Sequence, residues 1–302
     1  MSAARAPSRS WLEMREVGSV LGIRCLLYVA TAFGRAPMRG LLRVIVLYYA
    51  LLHGAARAAS RAYLRRVGRP SGFWAVYAHL LRFAQCAADR PFLIAGRHDA
   101  FAVQTHGAEH LAALCRERRG ALLLGAHLGS FEALHAQAGQ ERLVVNVVGY
   151  FRNARMINRV LEQLGSQVHA RLLEPGSGID FALKLRDCIE RGEFVAMLGD
   201  RQVDGNTAVV EFLGEPAAFP TGPFALAAAL GCPVLLTFGL HRPPNRYELY
   251  CEPFAECVRL PRAQREQALH AHVQRFAARL EHYCRLAPDN WFNFYDFWSK
   301  HV

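Results

Sequence analysis

No C-x-x-C pair occurs among the eight cysteines of this 302-residue chain, which lie scattered at positions 25, 86, 115, 188, 232, 251, 257 and 284. That scatter argues against zinc and against a disulfide framework, and fits reduced core thiols in a protein facing the cytosol. There is no G-x-S-x-G, so a serine nucleophile elbow is absent. There is also no P-loop, no G-x-G-x-x-G and no H-E-x-x-H, which removes nucleotide, dinucleotide and zinc-protease chemistry. Glu132-x-x-His135 is half of a carboxylate-bridged di-iron pattern, but the chain has no second Glu-x-x-His, so neither metal nor cofactor is expected.

Long uncharged runs are missing too. Residues 17–33 and 40–56 are the most apolar N-terminal segments, but Arg24 and Arg43 interrupt them, and the uncharged run 44–56 falls short of the ~20 residues that cross a bilayer. A cleavable signal is not expected, because no small-residue cleavage site follows a single short apolar core. Acidic residues are scarce before Pro70, where twelve arginines face only Glu13 and Glu16 and carry +10 of the net +11. These arginines alternate with long aliphatic stretches, which a nucleic-acid arm has no reason to carry. The pattern predicts amphipathic helices lying on an anionic membrane surface, with a single tilted span through residues 18–33 or an ordinary helical hairpin packed on the domain as the alternatives, and no nucleic-acid partner.

What is present centres on residues 119–138, RGALLLGAHLGSFEALHAQA. Ala121, Leu122, Leu123 and Leu124 have the length of a buried strand, and Ser130 is a good N-cap for a helix starting at Phe131. His127 then sits in the turn between them. On one unbroken helix His127 and Glu132 would point roughly 140° apart. With His127 in the turn and Glu132 in the first helical turn, the two can approach, and the carboxylate suits the positive helix end. An imidazole held by a carboxylate is a general base, and without a protein nucleophile it would act on a substrate hydroxyl.

Further along, strands are expected at residues 101–105, 143–148, 194–198, 209–212, 234–240 and 246–251, the last two as an antiparallel pair. Helices are expected at 73–86, 109–118, 158–164, 222–230 and 262–285, and within 176–191 after a turn at its start. The alternation predicts an α/β fold with a mixed, mostly parallel central sheet flanked by helices. The organisation expected is a basic, apolar helical region over residues 1–70 and a catalytic α/β domain over 71–302.

Four ordered blocks carry a resemblance. GAHLGSFEAL around His127 and Glu132 resembles the H-x4-D/E block of the glycerolipid acyltransferase superfamily, and more closely that of the lipid A biosynthesis acyltransferases of the lauroyl and myristoyl type. Residues 149–159 (GYFRNARMINR) are similar to the family's basic block, and residues 194–231 to its D-x-x-x-x-G, F-x-G and P-x-G-P blocks. The aromatic run WFNFYDFW at 291–298 resembles its C-terminal signature.

The resemblance implies transfer of a fatty acyl chain from an acyl carrier protein thioester to a hydroxyl of a membrane lipid acceptor, on the cytoplasmic face of a bacterial inner membrane. His127 would be the base and Glu132 its carboxylate partner, with turn amides or an arginine holding the oxyanion. Arg152 and Arg155, and less so Arg159, would bind a phosphate of donor or acceptor. Asp200 and Arg201 end a strand where ligand sites of open sheets gather, although a structural ion pair reads as well. Gly222 in the Pro-Thr-Gly-Pro turn would admit close approach beside the site. The aromatic run is either core or a lipid-facing rim. Transfer to another lipid, such as a lysophospholipid or an aryl-polyene lipid, and an inactive membrane scaffold are the alternatives.

Overall fold

The computed structural model describes residues 28–29, 34–94, 96–149, 171–173, 176, 179–201 and 206–298. Three helices come first: α1 (Arg35–Leu52), α2 (Gly54–Arg66) and α3 (Phe73–Ile94). Along α1 the residues Met38, Leu42, Val46 and Ala50 recur every fourth position and are buried in the main core. That row ties the helical region to the sheet domain through one continuous apolar cluster.

A seven-stranded sheet follows, built from β1 (Ala102–His106), β2 (Ala121–Gly125), β3 (Val145–Val148), β4 (Arg171–Leu173), β5 (Phe194–Leu198), β8 (Val234–Arg242) and β9 (Arg246–Ala255). Its order is β1-β9-β8-β2-β5-β3-β4, and among the described residues β8 against β9 is its one antiparallel pairing. Both faces are covered. Leu122 and Leu124 of β2 enter the larger core, while Ala121 and Leu123 enter a smaller one beneath α4 (Ala108–Arg116) and α5 (Phe131–Gln140). The larger core is closed by α6 (Ile179–Glu190), α7 (Gly222–Leu230), α8 (Arg265–Leu286) and the hairpin of β6 (Thr207–Phe212) with β7 (Glu215–Pro220).

The α/β class, the mostly parallel sheet and the late antiparallel pair are as the pattern predicts. β5 and α7 fall on their expected residues, and β1 is displaced by one. β7 is an addition. Its sequence EPAAFP holds two prolines and no β-branched residue, and it forms because it pairs only with β6, so one edge needs no donors. The expected helix over 158–164 and nearly all of the apolar segment 17–33 lie outside the described residues. Among the described residues no single helix is long and apolar enough to cross a membrane; α1 and α2 reach that length only together, across a bend of 95°.

Candidate active site

β2 runs fully buried to Gly125, and the chain then turns sharply to start α5. The turn depends on Gly129, whose φ of 72° lies in the left-handed region and where an added Cβ would come within 1.9 Å of the Gly239 carbonyl oxygen of β8. Ser130 then caps α5, its Oγ accepting from the Ala133 amide at 3.1 Å. The helix begins at Phe131, as its sequence indicates.

His127 sits in this turn with its side chain 27% exposed. Its Nδ1 lies 2.8 Å from Oδ1 of Asp200, and its backbone amide donates to Oδ2 at 3.0 Å. Asp200 follows the end of β5, the strand paired parallel to β2, so the two strand ends bring the residues together. A carboxylate accepts only, so Nδ1 carries the proton and Nε2 presents its lone pair. Among the described residues Nε2 has no hydrogen-bond partner.

This pairing corrects one expectation. The carboxylate on the imidazole is Asp200, not Glu132. Glu132 turns away to an ion pair with Nε of Arg90 on α3 at 2.8 Å and accepts from Ser130 Oγ at 3.2 Å. The physical reason lies in the turn: the backbone amide and the ring of His127 both point at the end of β5, while α5 carries Glu132 toward α3.

Asp200 is completely buried and its second oxygen is saturated. Besides the His127 amide, Oδ2 accepts from Trp291 Nε1 at 3.1 Å and Asn293 Nδ2 at 2.9 Å. Burial alone would raise its pKa, but the His127 imidazole and Arg201 outweigh it and hold the group at about 2. His127 is shifted below its ordinary 6.5, first by burial and then by the Arg201 cation, against the pull of Asp200. The imidazole is therefore neutral at pH 7, as a base must be.

The aromatic run is the frame of this site. Phe292 N donates to the His127 carbonyl at 2.7 Å, Gly129 N to the Asn290 carbonyl at 2.8 Å, and Leu128 bridges Trp291. Trp291 is fully buried, with Phe297 4.9 Å and Phe212 5.3 Å between ring centres. The core reading of 291–298 holds for its two tryptophans and for Phe292 and Phe297, and the lipid-facing rim does not. Arg201 belongs to the same frame, its Nε donating to Asn293 Oδ1 at 2.8 Å and Nη2 to the Phe292 carbonyl at 3.1 Å. Gly222 opens α7 where β7 ends, with Pro223 buried beside it, and the dyad is assembled without it. Arg152 and Arg155 lie outside the described residues.

A model of the family described as bacterial lipid A biosynthesis acyltransferase matches residues 90–300. The chain belongs to that family. The match spans the His127 turn, Asp200 and the aromatic frame, so the geometry above lies within the family portion. Membership makes the protein an acyltransferase whose reaction joins an acyl donor to a lipid acceptor. No curated protein matches the chain.

Sequence reasoning missed Trp291, Asn293 and Arg90. The signal for Trp291 and Asn293 was a polar asparagine inside an aromatic run and another just before it, since a buried amide demands partners. Among the described residues no group of three or more His, Cys, Asp or Glu is disposed to hold a metal ion.

Proposed function

We propose that the protein transfers a fatty acyl chain from an acyl carrier protein thioester to a hydroxyl of a lipid A-like membrane acceptor, with the His127–Asp200 dyad as its base. The observation that carries this is an imidazole whose Nδ1 is fixed 2.8 Å from a buried carboxylate and whose Nε2 has no partner among the described residues. Nε2 takes the hydroxyl proton as the oxygen attacks the thioester carbon, and Asp200 stabilises the imidazolium. The tetrahedral oxyanion collapses, the C–S bond breaks, and the leaving thiolate takes the proton back from Nε2. An ester and a free carrier thiol result.

The oxyanion needs a donor. The amides of residues 127 to 130 are all engaged, with Asp200, Ala126, Asn290 and Gly239, so these four are not spare for that role. An arginine takes it. Of the two described arginines whose charge bears on the imidazole, Arg201 is tied to the aromatic frame, while Arg90 is 30% exposed beside Glu132. Arg90 is our candidate for the oxyanion, and Arg152 and Arg155 remain candidates for the phosphate of donor or acceptor.

An apolar cavity opens between α4, α5 and the sheet, lined among others by Leu111, Leu123, Phe131, Leu134, Ala138 and Val145. It starts at the first residue of α5, and its lining is mostly apolar. On α1, Leu41, Val44, Ile45, Tyr48, Leu51 and Leu52 are exposed, as is Trp74 of α3, and Arg43 of α1, Arg61 and Arg65 of α2 and Arg69 just after it are exposed too. That combination supports docking on the anionic cytoplasmic face of a bacterial inner membrane. The test is acyl transfer by purified protein from acyl carrier protein to a lipid acceptor, with mass spectrometry of lipids from cells with and without it. His127→Ala should lower transfer by about 10³-fold while leaving the fold intact; undiminished transfer would defeat the dyad.

A further inference from the structure

A buried polar chain leads from the N-terminal helices to the dyad. Ser60 of α2 is completely buried, and its Oγ lies 2.8 Å from Nδ1 of His79 on α3. His79 is also completely buried, and its Nε2 lies 2.9 Å from the backbone carbonyl of Trp291. A carbonyl only accepts, so Nε2 carries the proton and Nδ1 accepts from the serine hydroxyl; one tautomer satisfies both ends. The Trp291 indole then reaches Asp200, which holds His127. Packing follows the same line, with the Tyr63 ring of α2 centred 5.0 Å from the Trp291 ring.

Buried histidines are often no more than satisfied core residues. Here the acceptor is the backbone of the strip that builds the site, because the residues on either side of that carbonyl make the contacts to His127 and Gly129. We propose that His79 is a positioning residue for the dyad: by gripping the Trp291 carbonyl it fixes the strip that aims Asp200 and His127, and Ser60 sets its tautomer. The N-terminal helices are thus part of the catalytic frame. Ser60 and His79 both precede residue 90, where the family match begins, so this support is separate from the family portion.

The inference rests on His127 being the base. Two isosteric variants test it without removing polarity. In His79→Gln the amide nitrogen stands where Nε2 was and still donates to the Trp291 carbonyl; in His79→Asn it stands where Nδ1 was and leaves the carbonyl unheld. A loosened strip misplaces the base against the hydroxyl without touching either substrate, and small misplacements of reacting groups cost up to about 10²-fold.

Steady-state acyl transfer by the full-length protein should show kcat within about threefold of the parent for His79→Gln, and about 20-fold lower for His79→Asn. KM should stay within about twofold for both. Ser60→Ala should lower kcat by about threefold. Thermal unfolding of each variant separates loss of aim from loss of fold, since the expected difference in kcat must persist at temperatures where both variants are fully folded. Equal kcat in the Gln and Asn variants, or a change confined to KM, would overturn the proposal even while His127→Ala is inactive. Full activity of His127→Ala would instead remove the dyad, and this inference with it.

Discussion

Two carboxylates flank the turn that carries His127, and the fold treats them in opposite ways. Asp200 is completely buried, accepts from a backbone amide, an indole, a side-chain amide and the imidazole, and is held ionised at a pKa of about 2. Glu132 is 21% exposed and is shared between one arginine and one serine. A carboxylate that must keep an imidazole in one tautomer through many turnovers needs fixed donors on its other lone pairs. A carboxylate near solvent, paired with a flexible arginine, is suited to hold that arginine beside a substrate. Sequence spacing selects Glu132 for the first task, whereas the three-dimensional environment assigns it to Asp200.

The largest expected effect breaks this comparison on its buried side. Three donors converge on Oδ2 of Asp200, so in Asp200→Asn the remaining oxygen is drawn to them and the amide NH2 faces Nδ1 of His127. Nδ1 must then accept, the ring proton moves to Nε2, and the base is lost although the shape is kept. Transfer should fall by about 10³- to 10⁴-fold, read as kcat in the carrier-protein assay. On the exposed side Glu132→Gln keeps the length and removes the charge that holds Arg90. About tenfold is expected there, the size of a mispositioned cation. Equal losses in the two variants would contradict the division of roles.

That division was only half legible in the chain. The strand over 121–125, the turn and the Ser130 cap are local signals, and they place His127 correctly because strand length, glycine and cap act over a few residues. Asp200 stands out as a polar residue at a strand end. Its partner does not, because pairing of β5 with β2 joins residues 73 apart and depends on sheet order. The H-x4-E spacing supplied a nearer carboxylate, and proximity in sequence prevailed. The aromatic run hid its function in the same way. Its rings read as core, which they are, while the donors that matter are one indole N–H, one asparagine side chain and the Phe292 main-chain amide.

The pH profile sharpens the comparison further. Asp200 stays ionised throughout the working range, so the acid limb of kcat/KM belongs to the His127 imidazole. A general base acts when neutral, and burial together with Arg201 puts its pKa below 6.5. The rate should therefore be flat from about pH 7 upward and fall by about tenfold per unit only beneath 6.5. Glu132→Gln should leave the position of that limb nearly unchanged. A limb centred above 7 would mean that the imidazolium is favoured in the site, contrary to the environment described.

The smallest effect falls on Ser130, which stands between the two carboxylates. Its Oγ accepts from the Ala133 amide as the cap of α5 and donates to Glu132 at 3.2 Å. Ser130→Ala removes both contacts but touches neither Asp200 nor the ring of His127. The lost cap should cost about 1 kcal/mol of stability in urea unfolding. Activity should stay within about threefold of the parent, because the turn is pinned separately by the Ser130 amide on the Gly239 carbonyl at 2.7 Å, a main-chain contact the substitution leaves in place. A loss approaching that of Asp200→Asn would show that the Glu132 side, through its serine, carries the aim of the base after all.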